Sequence, residues 1–305
     1  VGYGDDLMGT GLARAIRDQY PEAKLVFGNP GTYHDPKNNK ISVHWSEVFF
    51  NNPIIVQPDE PVKDMVCIPD YPGCRVYLDY EKTEKEADGK ALKYTKFAWA
   101  EGFKAPKGEL FFNNDEKSAA SEIALRLPNP FFVIEPHVAD KPWPNKKAWP
   151  WDRWQAVVDA LPDVKFIQMS GGDVLDRVHH VMTPTFRQAC GILACAGAVV
   201  TSEGGLHHAA AALDVPAVVL WGHYTSPDIL GYDDQTNIRH ADGNGCGNTW
   251  NECPDCQESM HNIKVDEVVE TIKKVISDGR HIHSRQARDR SIFRMVGATA
   301  EGKEK

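Results

Sequence analysis

With 305 residues, 42% of them hydrophobic and 25% charged, the chain has ordinary globular composition and enough length for two domains of roughly 130–150 residues each. A net charge of −9 with scattered Lys and Arg argues against a broad nucleic-acid footprint, and no apolar run reaches the roughly 18 residues that would read as a membrane-spanning helix. Seven cysteines in a chain this long are a poor match to a secreted disulfide framework, and with no charged-then-apolar leader in the sequence the expectation is a cytoplasmic protein.

In chain order, Gly2-Tyr3-Gly4-Asp5-Asp6 precedes Leu7, Met8, Leu12, Ala13 and Ile16, whose spacing predicts an amphipathic helix that opens on a glycine turn and ends at Pro21. Lys24 to Gly28 reads as a buried strand. Val48 to Val56 reads as a helix end, a break at Asn52-Pro53 and a strand. Met65 to Ile68 and Arg75 to Leu78 are further strands, and residues 81–92 a solvated, charged stretch. The prolines around Asn129 mark a domain boundary. Beyond it, strands at Phe131–Ile134, Lys165–Met169, Ala198–Thr201 and Ala217–Leu220 alternate with helices around Trp154–Leu161, Phe186–Cys195 and Leu206–Leu213. That alternation predicts a parallel sheet with both faces covered. Val265, Val268, Val269, Ile272 and Ile276 predict a last amphipathic helix.

Three stretches carry chemistry. Thr201 to Leu213 places Glu203-Gly204-Gly205 between a strand and a helix, so the backbone is open to a ligand and the first helical amides, with the helix dipole behind them, suit a diphosphate. Glu203 is positioned for a sugar or ribose hydroxyl and His208 for a phosphate. Among Lys141, Lys146 and Lys147, in a loop after a strand's carboxyl end, Lys147 is the choice for offsetting diphosphate charge. Asp5 and Asp6 open the first helix, where acidic residues ordinarily complement the dipole; a carboxylate there also suits a general base at the mouth of a sheet.

Together these stretches resemble the heptosyltransferase-like glycosyltransferases, over most of the chain. The family's Gly-Asp, followed by a helix that ends at an aromatic-Pro pair, is matched by Gly4-Asp5 and Tyr20-Pro21. Its Lys-x-Trp-Pro is matched by Lys147-Ala148-Trp149-Pro150, and its Asp-Thr-Gly-Leu-Ser-His signature by Glu203-Gly204-Gly205-Leu206-His207-His208. The resemblance implies an α/β, GT-B fold of two Rossmann-like domains with parallel sheets facing a central cleft: 1–128 for the acceptor, 129–278 for the nucleotide-sugar, and a tail, 279–305, free to pack back on the first. It implies an inverting, metal-independent transfer from a nucleoside-diphosphate sugar to a hydroxyl of a glycan or glycolipid, with Asp5 catalytic. Donor binding falls to Lys147, Glu203, Gly204, Gly205, His207, His208, Thr225 and Ser226, with Asp6 and His137 as secondary candidates.

Glu203, Gly204 and His207 depart from the family's Asp, Thr and Ser, which leaves the donor sugar and its base open. Two other readings compete: a phage-type enzyme acting on hydroxymethylated bases in DNA, and a non-catalytic sugar-nucleotide-binding module. No cofactor is required in this reading, and the expected location is cytoplasmic or peripheral to the inner membrane. Cys246, Cys253 and Cys256 read first as thiols or a disulfide and second as a structural zinc site; Cys67 and Cys74 read as structural, Cys190 and Cys195 as core cysteines.

Overall fold

The computed structural model describes residues 2–27, 44–57, 65–68, 75–87, 89, 92–138 and 145–278. The readings of Cys74, Lys141, the Cys67 side chain and the 279–305 tail lie outside what is described.

The chain folds as an α/β protein. After Phe131, strands β5 (Phe132–Glu135), β6 (Phe166–Gln168), β7 (His179–His180), β8 (Val199–Ser202), β9 (Ala217–Trp221) and β10 (Thr236–Arg239) form one parallel sheet in the order β10-β9-β8-β5-β6-β7. Side chains alternate between its faces, so each strand feeds two cores. Val133, Val199 and Val219 pack with helices α4 (Phe186–Cys195) and α5 (Gly205–Ala212). Phe132, Ile134, Val200 and Leu220 pack on the opposite side with α3 (Trp151–Ala160) and α8 (Val265–Ser277).

The part before Phe131 is less regular. Strand β1 (Lys24–Phe27) pairs in parallel with β2 (Met65–Ile68), and Leu25 bridges Ile55. Helix α1 (Tyr3–Gln19) follows the predicted span. A 3-10 turn at Glu47–Phe49 and the bridge at Ile55 replace the helix end and strand expected between Val48 and Val56. Arg75 to Leu78 forms no strand: it is a turn in which Leu78 alone bridges Trp99, because Tyr77 is drawn toward α1. The charged stretch from residue 81 holds an exposed strand, β3 (Glu84–Ala87), paired antiparallel with β4 (Leu92–Lys96).

Helix α5 is alanine-rich because it lies between the sheet and α1. Ala209, Ala210 and Ala211 are fully buried, and small side chains let both neighbours approach. The contact is closest at Gly4, where an added Cβ would stand 2.6 Å from the His208 ring. Helix α2 (Asn114–Leu125), begun by reciprocal bonds between Asn113 and Glu116, packs on α4. Arg187 of α4, buried, binds both Glu116 oxygens at 2.6 and 2.8 Å and the backbone oxygens of Glu47 and Phe111. One apolar cluster therefore runs from Leu7 and Phe49 through Cys190 and Ala210 to Val133 and Val219.

Candidate active site

A cleft of about 1440 Å³ opens at the carboxyl ends of the sheet strands, where open α/β sheets take ligands. It exceeds the roughly 300–1,000 Å³ of a usual small-molecule pocket, which leaves room for two substrates side by side. Its walls come from both parts of the chain, and the first residues of α1, α4 and α5 all reach it. Tyr3 of α1 stacks on Phe186 of α4, ring centroids 4.3 Å apart. A hydrogen bond with Glu47, aided by burial, pushes the Tyr3 phenol up to about 12, so it stays protonated at neutral pH.

Asp5 lines this cleft from the first turn of α1. Its Oδ2 accepts from the Gly2 amide at 3.0 Å, and its Oδ1 accepts from the Tyr77 hydroxyl at 2.6 Å. The Arg75 guanidinium stands 4.0 Å away. Burial, and then the charge of Asp5, raise the Tyr77 phenol well above its ordinary range, which keeps it a donor. Asp6 is a different residue in kind: buried, with His44 Nε2 2.8 Å from its Oδ1.

In the same cleft, Lys147 Nζ meets Glu203 Oε2 at 2.5 Å and lies 5.2 Å from the centre of the Tyr224 ring. Glu203 is buried and follows β8; Gly204 and Gly205 then open α5. A Cβ on Gly204 would meet nothing within 4 Å, so the glycine keeps space open in the cleft. The amides of Gly205 and Leu206, in the first turn, have no carbonyl within the helix to bind.

The remaining candidates take other places. His207 is fully buried: its Nδ1 accepts from the Gly204 amide at 2.9 Å, and its Nε2 then donates to the Leu230 carbonyl at 3.1 Å. Burial lowers its pKa, and the neutral ring serves as a helix cap rather than a cleft residue. The Gly204 amide is thereby consumed inside the protein. His208 does reach the cleft, but burial, with Lys147 and His207 nearby, drives its pKa well below the ordinary value. It offers no positive charge, and its Nδ1 is bonded to the Tyr232 hydroxyl at 2.7 Å. Thr225 and Ser226 are buried behind the wall at the start of the short helix α6 (Pro227–Leu230), outside the cleft lining. His137 lines the cleft and binds the Asp173 carbonyl through Nε2 at 2.7 Å. Lys146 turns away from Lys147 and donates to the Thr249 carbonyl at 3.0 Å.

Glu135 and Ser202 are among the cleft residues not foreseen, with Tyr3, Arg75, Tyr77 and Tyr224. Glu135, buried at the end of β5, accepts from the Ser170 hydroxyl at 2.6 Å and the Ser170 amide at 2.9 Å, and so fixes the loop after β6. Ser202, at the end of β8, has a buried hydroxyl without a partner among the described residues. The Ser170 contact spans 35 positions, and nothing local announces it.

Residues 182–256, from just before α4 to the cysteine cluster, match the pattern of glycosyltransferase family 9 (heptosyltransferase). The match covers about a quarter of the chain. It contains Glu203 to His208 and all of β8, α5 and β9, while Asp5 and Lys147 lie outside it. Among solved structures, the chain is similar to the E. coli ADP-heptose lipopolysaccharide heptosyltransferase II, at 22% identity over 56% of this chain and 54% of that one, with a TM-score of 0.43. A family 9 glycosyltransferase from Veillonella parvula matches at 15% identity, again over 56% and 54%, with a TM-score of 0.45. The E. coli heptosyltransferase WaaC, solved with ADP-2-deoxy-2-fluoro heptose, matches at 18% over 57% and 51%, with a TM-score of 0.37. The chain thus spans about half the length of these structures. No curated protein matches it in sequence.

Proposed function

We propose that the protein is a glycosyltransferase that moves a sugar from a nucleoside-diphosphate donor to an acceptor hydroxyl, in one domain pair with the acceptor held by residues 1–128 and the donor by 129–278. The observation that carries this reading is one cleft lined by Asp5, Lys147, Glu203 and the start of α5, the last two within the segment that matches family 9.

In this reading the diphosphate lies against the Gly205 and Leu206 amides and Lys147. Glu203 pairs with the lysine and turns to a sugar or ribose hydroxyl when phosphate takes its place. Asp5, oriented by Tyr77 and the Gly2 amide, takes the acceptor proton as its oxygen attacks the anomeric carbon from the face opposite the departing diphosphate, which inverts that centre. Helix amides and Lys147 meet the charge of the leaving group in place of a divalent cation. By analogy with relatives that take ADP-heptose, an ADP-sugar is the first donor to try.

The test is a thermal-shift screen of ADP-, UDP-, GDP- and CDP-sugars, followed by NMR of the product's anomeric centre. A selective shift with one base, and a product of inverted configuration, are expected. No shift with any of the four removes the donor site, and retained configuration removes Asp5 as the base of a single displacement.

A further inference from the structure

Outside the cleft's chemistry, the strongest cluster is sulfur. Cys246, Cys253 and Cys256 place their Sγ atoms within 4.8 Å of one another, at 3.5 Å for Cys246–Cys253 and 3.4 Å for Cys246–Cys256. All three are unbridged, and those separations are far beyond a disulfide bond of about 2.05 Å. They lie near the S–S edge of about 3.8 Å that follows from a Zn–S length of about 2.3 Å in a tetrahedral site. Two elements converge to build the cluster. Cys246 stands between Gly245 and Gly247, both at positive φ, of 101° and 62°, while Cys253 and Cys256 begin helix α7 (Pro254–Asn262). The turn is anchored twice over: the Cys246 amide donates to the His223 carbonyl at 2.7 Å, and Phe97 donates to the Gly247 carbonyl at 2.8 Å. A Cβ on Gly247 would collide with the Phe97 carbonyl, so the turn admits only glycine there. Lys146, buried, is held beside this loop by the bond from its ammonium to the Thr249 carbonyl at 3.0 Å.

We infer that Cys246, Cys253 and Cys256 form a metal-binding centre for a thiolate-seeking first-row divalent ion, zinc or iron(II). Binding exchanges the three thiol protons, released to solvent, for the metal, with no change of oxidation state. Three thiolates on a divalent ion leave one net negative charge, which Lys146 offsets. Among the described residues no fourth Cys, His, Asp or Glu ligand atom joins the three, so the fourth position falls to water or, after side-chain rotation, to His223, whose backbone already holds Cys246. The centre's place gives it a task. Thr249 and Trp250, between the cysteines, line the cleft, and Thr249 accepts from Lys146, the neighbour of Lys147. A metal that ties residue 246 to residues 253 and 256 sets the position of that wall. The centre is therefore structural, apart from the sugar-transfer chemistry.

The test uses the full chain purified anaerobically without a polyhistidine tag. Elemental analysis is expected to find stoichiometric zinc or iron, and its identity chooses between the two. After removal of the metal with a thiol-modifying mercurial and then dithiothreitol, cobalt(II) titration is expected to give thiolate-to-cobalt charge-transfer absorption and intense tetrahedral d–d bands that saturate at one ion per chain. The Cys253→Ser, Cys256→Ser double variant is expected to lose both the bound metal and the cobalt spectrum; the titration of the unaltered chain stands if that variant does not fold. Metal-free protein that takes up no cobalt, or a Cys253–Cys256 disulfide in the anaerobically purified chain, overturns the inference. Neither readout depends on glycosyltransferase activity.

Discussion

Arg187 offers the sharpest test of how the two parts of the chain are held together. Replacing it with Met keeps an aliphatic stem against Phe112, over whose ring the guanidinium carbon now sits at 5.0 Å, and removes the charge and every donor. Four bonds disappear: two to Glu116, one to the Glu47 carbonyl and one to the Phe111 carbonyl. Breaking a buried pair costs about 3–5 kcal/mol; Glu116 is 30% exposed and can recover water, which places the expected loss near the lower end, about 3 kcal/mol. For a chain of this size that corresponds to a fall in Tm of about 5 °C. Urea unfolding followed by tryptophan fluorescence measures it, and a cycle with Glu116→Gln isolates the pair, the double variant losing less than the sum of the singles. A loss below about 1 kcal/mol would show that the pair contributes no more than a surface ion pair.

Acid supplies a second measurement on the same pair. Burial opposes ionisation of Glu116, but the bonds from Arg187 and the Asn113 amide outweigh it, and the carboxyl is held below its ordinary value. A depressed folded pKa means this stability is complete above the unfolded value of about 4.3 and is lost as pH falls through the folded one; Arg187→Met is expected to flatten that acid decline. Asp5→Asn is expected to cut turnover by about 10²–10⁴ while leaving the donor thermal shift intact, and unchanged turnover would remove Asp5 from its role. Tyr77→Phe deletes the bond to Asp5 and is expected to lower kcat with little effect on the donor KM; the reverse pattern would make Tyr77 a binding residue. Lys147→Met is expected to weaken donor binding by about 1.5–3 kcal/mol, roughly 10–150-fold, read by calorimetry, and an equal effect on the free sugar would show that the lysine does not serve the diphosphate.

The parallel sheet was legible because its strands are buried on both faces. Phe131–Ile134, Ala198–Val200 and Ala217–Trp221 are continuous apolar runs set between helices, and the structure places strands there within a residue or so. The edges were not. β10 (Thr236–Arg239) and β3 are short and largely polar, so neither has a pattern to distinguish it from a loop. Arg75–Leu78 has a strand's alternation, yet its tyrosine is claimed by an aspartate 72 positions away. Helix α2 did carry a readable start, Asn113-x-x-Glu116. In the site, Glu203, Gly204 and Gly205 followed from the strand-to-helix turn, whereas His207 entered through the family signature, and its ring caps Gly204 instead of lining the cleft. Only the fold shows that its ring turns back onto the Gly204 amide.

The start of α4 bears on how such proteins are recombined. Its first two amides, of Phe186 and Arg187, donate at 3.3 Å to the carboxylate of Glu47, a residue almost 140 positions earlier, and Phe186 is roofed by Tyr3. A chimera joined at residue 129 would inherit α4 without its carboxylate, its aromatic lid or the acid that balances Arg187. Exchange of C-terminal halves among relatives is therefore a transplant of at least three N-terminal residues, Tyr3, Glu47 and Glu116, along with the half itself. Chimeras that carry those three across are the ones expected to fold.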